Sequence, residues 1–162
     1  MKKKLLIITA ITISLFLSGC GGTSIKTANG EVNVKDNKVE LKTKDGKSEI
    51  SIGDKGNAKL PEGYPKDTAP IIKGAKISLA SKSEANNQTS FWVTYTSDKE
   101  ITEVQDFYKD ALKDVENKQT VESNNMFSIG GTEGDQNVYV TVTGEEVDGK
   151  MLCTVQLVVS PK

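Results

Sequence analysis

Apolar and polar residues alternate along residues 31–53, the segment EVNVKDNKVELKTKDGKSEISIG. The apolar positions form three pairs, which are Val32 and Val34, Val39 and Leu41, and Ile50 and Ile52. Turn-forming dipeptides, Asp36-Asn37 and Asp45-Gly46, stand between the pairs. A period of two indicates β-strands, because successive side chains of a strand point to opposite faces. The segment therefore predicts a three-stranded β-meander.

The same alternation returns between residues 76 and 160. Two strands are predicted over KISLAS (residues 76–81) and QTSFWVTYT (residues 88–96), with a turn at Asn86-Asn87 between them. Three further strands are predicted around residues 126–129, 136–143 and 150–160. The strand signals are spaced for hairpins, which indicates an antiparallel sheet.

A helical period separates the second and third of these strands. Residues 97–100, Ser-Asp-Lys-Glu, have the sequence of a capping box, which marks a helix N-terminus. Behind it, apolar residues recur at helical spacing, namely Ile101, Val104, Tyr108, Ala111, Leu112 and Val115, with Phe107 at the margin. We therefore predict an α+β fold in which one helix packs across an antiparallel sheet (β-β-α-β-β-β), preceded by the small meander.

The longest apolar run of the chain lies near its N-terminus. Lys2, Lys3 and Lys4 precede the run from Leu5 to Leu17, which is too short to span a bilayer but typical of a secretion signal. The run ends in Leu-Ser-Gly-Cys at residues 17–20, which resembles the lipobox of bacterial lipoproteins. The resemblance implies cleavage before Cys20, a diacylglyceryl group on its sulfur, and an anchor on the extracytoplasmic face of the cell membrane. The alternative is an ordinary cleavable signal that leaves Cys20 as a free thiol.

Changes of composition divide the chain into five segments. Pro61, Pro65 and Pro70 stand within ten residues of one another, and prolines at this spacing hold the backbone extended and prevent a helix. The predicted segments are the lipoprotein signal peptide (1–19), the lipidated cysteine with a flexible tether (20–30), the β-meander arm (31–56), the proline-rich connector (57–75) and the α+β domain (76–162).

A second resemblance covers roughly residues 60–115. The stretches PEGYPKDTAP, SFWVTYTS and EVQDFYKDAL are similar to the C-terminal domain of small uncharacterised lipoproteins of bacilli and related bacteria. This resemblance supports the fold and the location and implies no particular activity.

Composition excludes several kinds of chemistry. All 21 basic residues are lysines, and the chain has no histidine. The commonest general base, and with it the Ser-His and Cys-His catalytic pairs, is therefore missing. From Cys20 onward the chain carries 18 lysines and 22 acidic residues, and a net charge of −4 argues against nucleic acid as a partner. The lack of arginine is typical of AT-rich genomes, such as those of low-GC Gram-positive bacteria.

Three groups of residues could carry chemistry. Cys153 alternates with the apolar residues of its strand, so we expect a buried and inert thiol. Carboxylates on one side of the helix (Glu103, Asp106, Asp110 and Asp114) could bind calcium, as could the glycine-rich and acidic loop at residues 130–137. A solvated acidic face and a plain hairpin loop are the simpler interpretations. We therefore expect neither a metal nor a cofactor.

The alternation also predicts a surface. If Phe91, Val93 and Tyr95 point into the core, the residues between them point outward, and the same rule applies to the last two strands. Aromatic side chains among small polar ones are typical of binding surfaces. The candidate binding face consists of Trp92, Thr94, Tyr139, Thr141 and Gln156. In two alternatives these side chains merely pair across a solvated sheet, or the meander of residues 31–52 covers them.

Together these patterns predict a membrane-anchored extracytoplasmic lipoprotein that acts as a non-catalytic binding or protein-interaction module. Its partner would be an unknown envelope protein, a peptide or a small ligand, besides the membrane reached through diacylglyceryl-Cys20. The alternatives are an envelope hydrolase that uses a carboxylate pair or a Ser-Lys pair, and a calcium-binding module. A pocket with a perturbed carboxylate would favour the enzyme, whereas an open apolar sheet face would favour the module.

Overall fold

The computed structural model describes residues 23–27 and 29–162. These residues form one antiparallel sheet of ten strands and one α-helix, α1 (Ile101–Ala111). The strands are β1 (Thr23–Thr27), β2 (Gly30–Lys35), β3 (Lys38–Thr43), β4 (Gly46–Ile52), β5 (Lys76–Ala85), β6 (Gln88–Ser97), β7 (Glu116–Ser123), β8 (Met126–Glu133), β9 (Gln136–Val147) and β10 (Lys150–Pro161). Their order across the sheet is β1-β2-β3-β4-β5-β6-β10-β9-β8-β7.

The α+β prediction is wrong, because the fold is mainly β. The predicted meander does not form a small sheet of its own, since β4 pairs with β5 and the sheet runs on without interruption. The short helix α1 is a minor element beside ten strands. The alternating segments therefore add up to one wide sheet, which the sequence periods alone did not indicate.

Two strands are absent from the prediction: β1, which lies within the segment 20–30 that was predicted as a flexible tether, and the outermost strand β7. All eight residues of β7 are exposed, and its sequence, ENKQTVES, holds a single large apolar side chain, Val121. An edge strand that buries neither face shows no alternation between apolar and polar positions. Its pairing with β8 comes from the backbone and leaves little trace in the sequence.

The hairpin between β5 and β6 has the predicted turn. Asn86 and Asn87 adopt left-handed conformations, with φ values of 52° and 61°. Two successive residues of positive φ form the type I′ turn that suits the twist of a two-residue hairpin, and asparagine tolerates that conformation well. The turn at Asn86-Asn87 is therefore confirmed.

The helix begins three residues later than the predicted capping box implies. The N-cap position is Glu100, which makes no side-chain capping hydrogen bond. Ser97 closes β6 instead, and its Oγ accepts a hydrogen bond of 3.3 Å from the backbone N–H of Lys99. The predicted capping box is thus not formed. The predicted apolar stripe does pack inward, because Val104, Tyr108 and Leu112 are fully buried.

The core lies between α1 and one face of the sheet, which we call the helix face. Connector residues Tyr64, Ala69 and Ile72 cover the same face beside α1. The alternation predicted for the sheet is confirmed here, because the inward set is buried in β6, β9 and β10, namely Phe91, Val93, Tyr95, Val138, Val140, Val142, Cys153, Val155, Leu157 and Val159.

Tyrosine hydroxyls fasten the connector to this core. The hydroxyls of Tyr95 and Tyr108 lie 2.6 Å apart, and Tyr108 donates a hydrogen bond of 3.0 Å to the carbonyl oxygen of Pro70. Tyr64 donates one of 2.8 Å to the carbonyl oxygen of Ala69. Burial raises the pKa of Tyr95 to about 12 and also raises the pKa values of Tyr64 and Tyr108. The three phenols therefore stay neutral and act as hydrogen-bonding groups.

Candidate functional site

The five residues of the candidate binding face lie together on the side of the sheet opposite the helix face, which we call the open face. The register places Trp92 opposite Val158 and Val158 opposite Tyr139, in one row across β6, β10 and β9. Thr94, Gln156 and Thr141 form a second row on the same three strands. Directly opposite side chains stand about 5 Å apart at their Cβ atoms, so the rows form one continuous surface.

The two aromatic side chains of this surface are accessible. Trp92 is 50% exposed and Tyr139 is 52% exposed, with Val158 at 36% between them. Thr94 and Thr141 are half-buried and Gln156 is exposed. The alternation along β10 directs Val158 outward together with Gln156, and the register confirms this position.

A glycine positions one of the aromatic rings. Gly130 lies opposite Tyr139, and a Cβ atom built on Gly130 would stand 2.3 Å from Cδ1 of the Tyr139 ring. The ring therefore lies over the backbone of β8, where any side chain would displace it. Gly130 was predicted to belong to a hairpin loop, which is wrong, because Gly130, Gly131 and Thr132 all lie within β8. An aromatic residue facing a glycine across a hairpin is the signal that could have identified it.

The arm strands β1–β4 extend the open face rather than cover it. The row that contains Trp92 continues through Ser81 to Ile50, and then through Val39 to Val34. The alternative in which the meander of residues 31–52 lies over Trp92 and Tyr139 is therefore wrong. One row of side chains crosses the whole sheet, with aliphatic residues in the arm and the two aromatic rings in the body.

The open face is almost free of charge. In β1–β4 the register assigns to it only uncharged residues, which are Thr23, Ile25, Thr27, Gly30, Val32, Val34, Val39, Leu41, Thr43, Gly46, Ser48, Ile50 and Ile52. The charged residues of these strands all lie on the opposite side, namely Lys26, Glu31, Lys35, Lys38, Glu40, Lys42, Lys47 and Glu49. In β5–β10 the open face carries four charged residues by register: Lys76, Glu145 and Lys150 at one end, and Glu116 on the outermost strand at the other end.

The exposed large apolar side chains follow the same division. Among the described residues, every one of them belongs to the open face by register: Ile25, Leu41, Ile52, Trp92, Val121, Met126, Tyr139, Val147 and Val158. Single exposed apolar residues are normal on a protein surface, but their collection on one side is not. The open face is therefore the distinctive surface of the molecule.

The carboxylates considered for calcium do not converge. Glu103 forms an ion pair with Lys99, and the Asp110 carboxylate lies 3.6 Å from the Lys113 ammonium. Within residues 23–27 and 29–162, no three acidic or thiol groups come close enough to hold a metal ion. The glycine-rich segment that was the second candidate is largely strand, with only the turn at Gly134-Asp135 left outside β8 and β9.

The thiol of Cys153 is placed as predicted. It is fully buried on the helix face, and its Sγ donates a hydrogen bond of 3.3 Å to the carbonyl oxygen of Lys99. Burial, with a smaller contribution from the Glu100 carboxylate, raises the pKa of this thiol. A buried thiol with a raised pKa is a poor nucleophile.

An open groove of about 710 Å³ lies at the tips of two hairpins. Lys42, Lys44 and Lys47 line it on one side, and Glu84 lies on the other. A hydrogen bond from Lys82 lowers the pKa of the Glu84 carboxyl, which is opposite to the raised pKa that suits an acid catalyst. No serine hydroxyl in the described part of the chain is hydrogen bonded to a lysine ammonium.

The remaining predicted site, Cys20, lies outside the described residues together with the rest of the signal segment. None of the helices that the structure describes has the length and apolar character needed to cross a membrane. In comparisons with known proteins, no family model, no curated protein and no solved structure matches this chain.

Proposed function

We propose that the chain is a membrane-anchored extracytoplasmic lipoprotein that acts as a non-catalytic binding or protein-interaction module through its open face. The observation that carries the proposal is the segregation of every exposed large apolar side chain of the described residues to one nearly uncharged side of the sheet. The anchor rests on the lipobox at residues 17–20.

Energetics favour this face over the rest of the surface. Burial of apolar surface stabilises a complex by about 25 cal/mol per Å², and aromatic residues in a desolvated centre contribute most to affinity. Trp92 and Tyr139 stand about two strand spacings apart, roughly 10 Å, with Val158 between them. Their neighbours Thr94, Gln156 and Thr141 bring hydroxyl and amide groups that can hydrogen bond to a partner.

Metabolic labelling with a radioactive fatty acid tests the anchor. The wild-type chain should take up label and remain with the membrane fraction, because two or more acyl chains give stable attachment. Cys20→Ala should lose the label and either persist as the uncleaved precursor or leave the membrane. A Cys20→Ala chain that still takes up label would show that the cysteine is not the lipidated residue.

Photo-crosslinking in intact cells tests the interaction face. A benzophenone amino acid is placed at Thr94 on the open face or, as the control, at Glu40 on the polar side of the arm. If the open face is the interaction surface, the crosslinker at Thr94 should form covalent adducts with a partner, and the crosslinker at Glu40 should not form them. Equal yields at both positions, or none at either, would reject the open face as the interaction surface.

A further inference from the structure

We infer that the partner of the open face is the open face of a second copy of this chain, so that two sheets stack into a two-layer sandwich. The inference rests on the proposed function, because it names the partner of the same surface. Three features of the structure carry it: an uncovered apolar layer in the arm, the area of the face, and its lack of charge.

The arm lacks a second layer. Its aliphatic side chains, among them Val34, Val39 and Ile50, lie on the open face, while α1 and the connector pack on the other face of β5–β10. Helix α1 packs on β8, β9 and β10, and the connector reaches the arm at Ser51 on the helix face, where the Ser51 Oγ accepts a hydrogen bond of 3.1 Å from the Lys59 N–H. A sheet with one apolar face is stable when that face is buried against another layer. A second copy supplies a layer of the same kind and length.

The face is large enough for a stable dimer. A strand residue occupies about 4.8 by 3.3 Å of a sheet, roughly 16 Å², so the ten strands present more than roughly 1,000 Å² on each side. A stable interface takes about 800 Å² from each partner. The open face therefore exceeds the area that one copy must contribute.

The absence of charge favours a second copy over a charged partner. The row through Ser48 reaches a charged residue at the outermost strand, Glu116 in β7. The two central rows of the open face, which run through Ile50 and Ile52 in β4, hold no charged residue on any strand to which the register extends them. Stacking two copies along these rows therefore buries no ion. An acidic peptide or an anionic lipid surface would find no complementary charge there. Threonine, serine and glutamine side chains can hydrogen bond to their equivalents in the second copy.

The geometry of twisted sheets permits this stacking. Two sheets of identical sequence twist with the same hand and pack face to face with their strands about 30° apart and about 10 Å between layers. Two copies anchored to one membrane through Cys20, as proposed, would also meet at a raised effective concentration. The symmetric arrangement is isologous, so each copy contributes the same side chains and the pair is closed.

Site-specific photo-crosslinking of the full chain in its own membranes tests the inference. A benzophenone amino acid replaces Ser48 or Gln156 on the open face, and replaces Lys47, the neighbour of Ser48 on the polar side, as the matched control. We expect a covalent adduct of twice the chain mass from the two open-face positions and none from Lys47. The adduct is identified by mass spectrometry of its cross-linked peptides.

The other outcomes separate the inference from the proposed function. Adducts that contain only a different envelope molecule would overturn the dimer and leave the interaction module standing. An absence of any adduct from Ser48 and Gln156 would overturn both. A dimer adduct of equal yield from Lys47 would mean random collision and would also overturn the inference.

A charge placed in the face gives a second test. Gln156→Lys puts two ammonium groups within the stacked rows, whereas Asn33→Lys makes the same change on the polar side of the arm. With the crosslinker at Ser48, Gln156→Lys should lower the dimer yield by about tenfold or more, because like charges in a desolvated interface repel. Asn33→Lys should leave the yield unchanged. Unchanged yield in a Gln156→Lys chain with a wild-type circular dichroism spectrum would overturn the inference.

Discussion

The arm (β1–β4) and the body (β5–β10 with α1) belong to one hydrogen-bonded sheet, yet they are apolar on opposite sides. In the body the helix face carries the apolar side chains, and α1 and the connector cover them. In the arm the helix face carries lysine and glutamate, and the aliphatic side chains point to the open face. Continuity of the backbone ladder thus does not make the hydrophobic side continuous.

The exchange of sides takes place at β5. Ala80 is buried on the helix face, while its neighbour Leu79 pairs with Ile52 on the open face. A register shift between Ile77 and Leu79 marks a β-bulge at this point. Bulges increase local twist and re-aim side chains. The strand therefore serves both halves, with core residues on one side and the edge of the arm's apolar row on the other.

The difference means that different interactions stabilise the body and the arm. The body gains most of its stability from burial of side chains that have no access to water. The arm gains it from backbone pairing and from cross-strand pairs of half-exposed side chains, which contribute about 0.2–1 kcal/mol each. Four predictions test this contrast, beginning with the largest effect.

Equivalent leucines in the two halves should differ most. Leu157 in β10 is 1% exposed on the helix face, whereas Leu41 in β3 is 39% exposed on the open face. Leu157→Ala should lower the free energy of unfolding by about 2–5 kcal/mol, because it leaves a cavity in a packed core. Leu41→Ala should cost under about 1 kcal/mol in the monomer. Urea unfolding of the full chain, at a dilution where it is monomeric, measures both. A comparable loss in the two variants would mean that the arm has a core of its own.

High pH should destabilise the body. Burial raises the pKa of Tyr95 from 10.0 to about 12, so the folded state holds the phenol proton more tightly than the unfolded state. Its contribution is therefore complete below pH 10 and is lost as the pH rises toward 12, on the order of 2–3 kcal/mol. Urea unfolding between pH 8 and pH 12 measures the slope. Tyr95→Phe should reduce the slope without abolishing it, because burial also raises the pKa values of Tyr64 and Tyr108. An unchanged slope in that variant would exclude Tyr95 as a source.

Loss of a tyrosine hydroxyl should lower the free energy of unfolding more on the helix face than on the open face. Tyr108→Phe removes the donor to the Pro70 carbonyl oxygen and one partner of the Tyr95 hydroxyl, so it should cost about 1–3 kcal/mol. Tyr139→Phe removes a hydroxyl from an exposed ring on the open face and should change stability by less than about 0.5 kcal/mol. Thermal unfolding of the two variants compares them directly. Equal melting temperatures would refute the structural role of the tyrosine network.

The smallest effect is expected from the ion pair of the arm. The Lys38 ammonium lies 2.8 Å from the Glu49 carboxylate, with 47% of the lysine side chain exposed. This hydrogen bond raises the pKa of Lys38. Exposed pairs contribute about 0–1 kcal/mol and weaken with salt. Lys38→Ala should therefore change the free energy of unfolding by under about 1 kcal/mol at low salt and by less at 1 M salt. A loss of stability as large as that of Leu157→Ala would mean that ion pairs on the charged side are the main source of the arm's stability.

The sequence predicted local elements well where side chains were sorted by burial. Alternation in SFWVTYTS located β6 and assigned Trp92 and Thr94 to the outer side, because Phe91, Val93 and Tyr95 carry the complementary apolar pattern. The candidate binding residues on β9 and β10 followed from the same rule. Their assembly on one face could be anticipated, although their function stays a prediction.

The alternation of apolar and polar residues did not predict which strands pair with each other. Nothing in Ile50 or Ser81 indicates that β4 and β5 are neighbours, since a ladder forms between backbones and places weak demands on side chains. The capping-box motif failed for a related reason, because β6 continues as far as Ser97 and takes the residue that would have capped the helix. In both cases tertiary pairing overrode a local signal. The mainly-β architecture follows from that pairing.

The fully exposed strand β7 has a consequence for assembly on a larger scale. An outermost strand with free N–H and C=O groups can recruit another chain edge to edge and grow into a fibre. Here Glu116, Lys118 and Glu122 line that edge strand, and the Glu122 carboxylate is held 2.7 Å from the Lys109 ammonium of the helix. Charges on an edge discourage further strands from joining. The charged strand β7 thus opposes edge-to-edge growth at one edge of a sheet whose open face carries few charges.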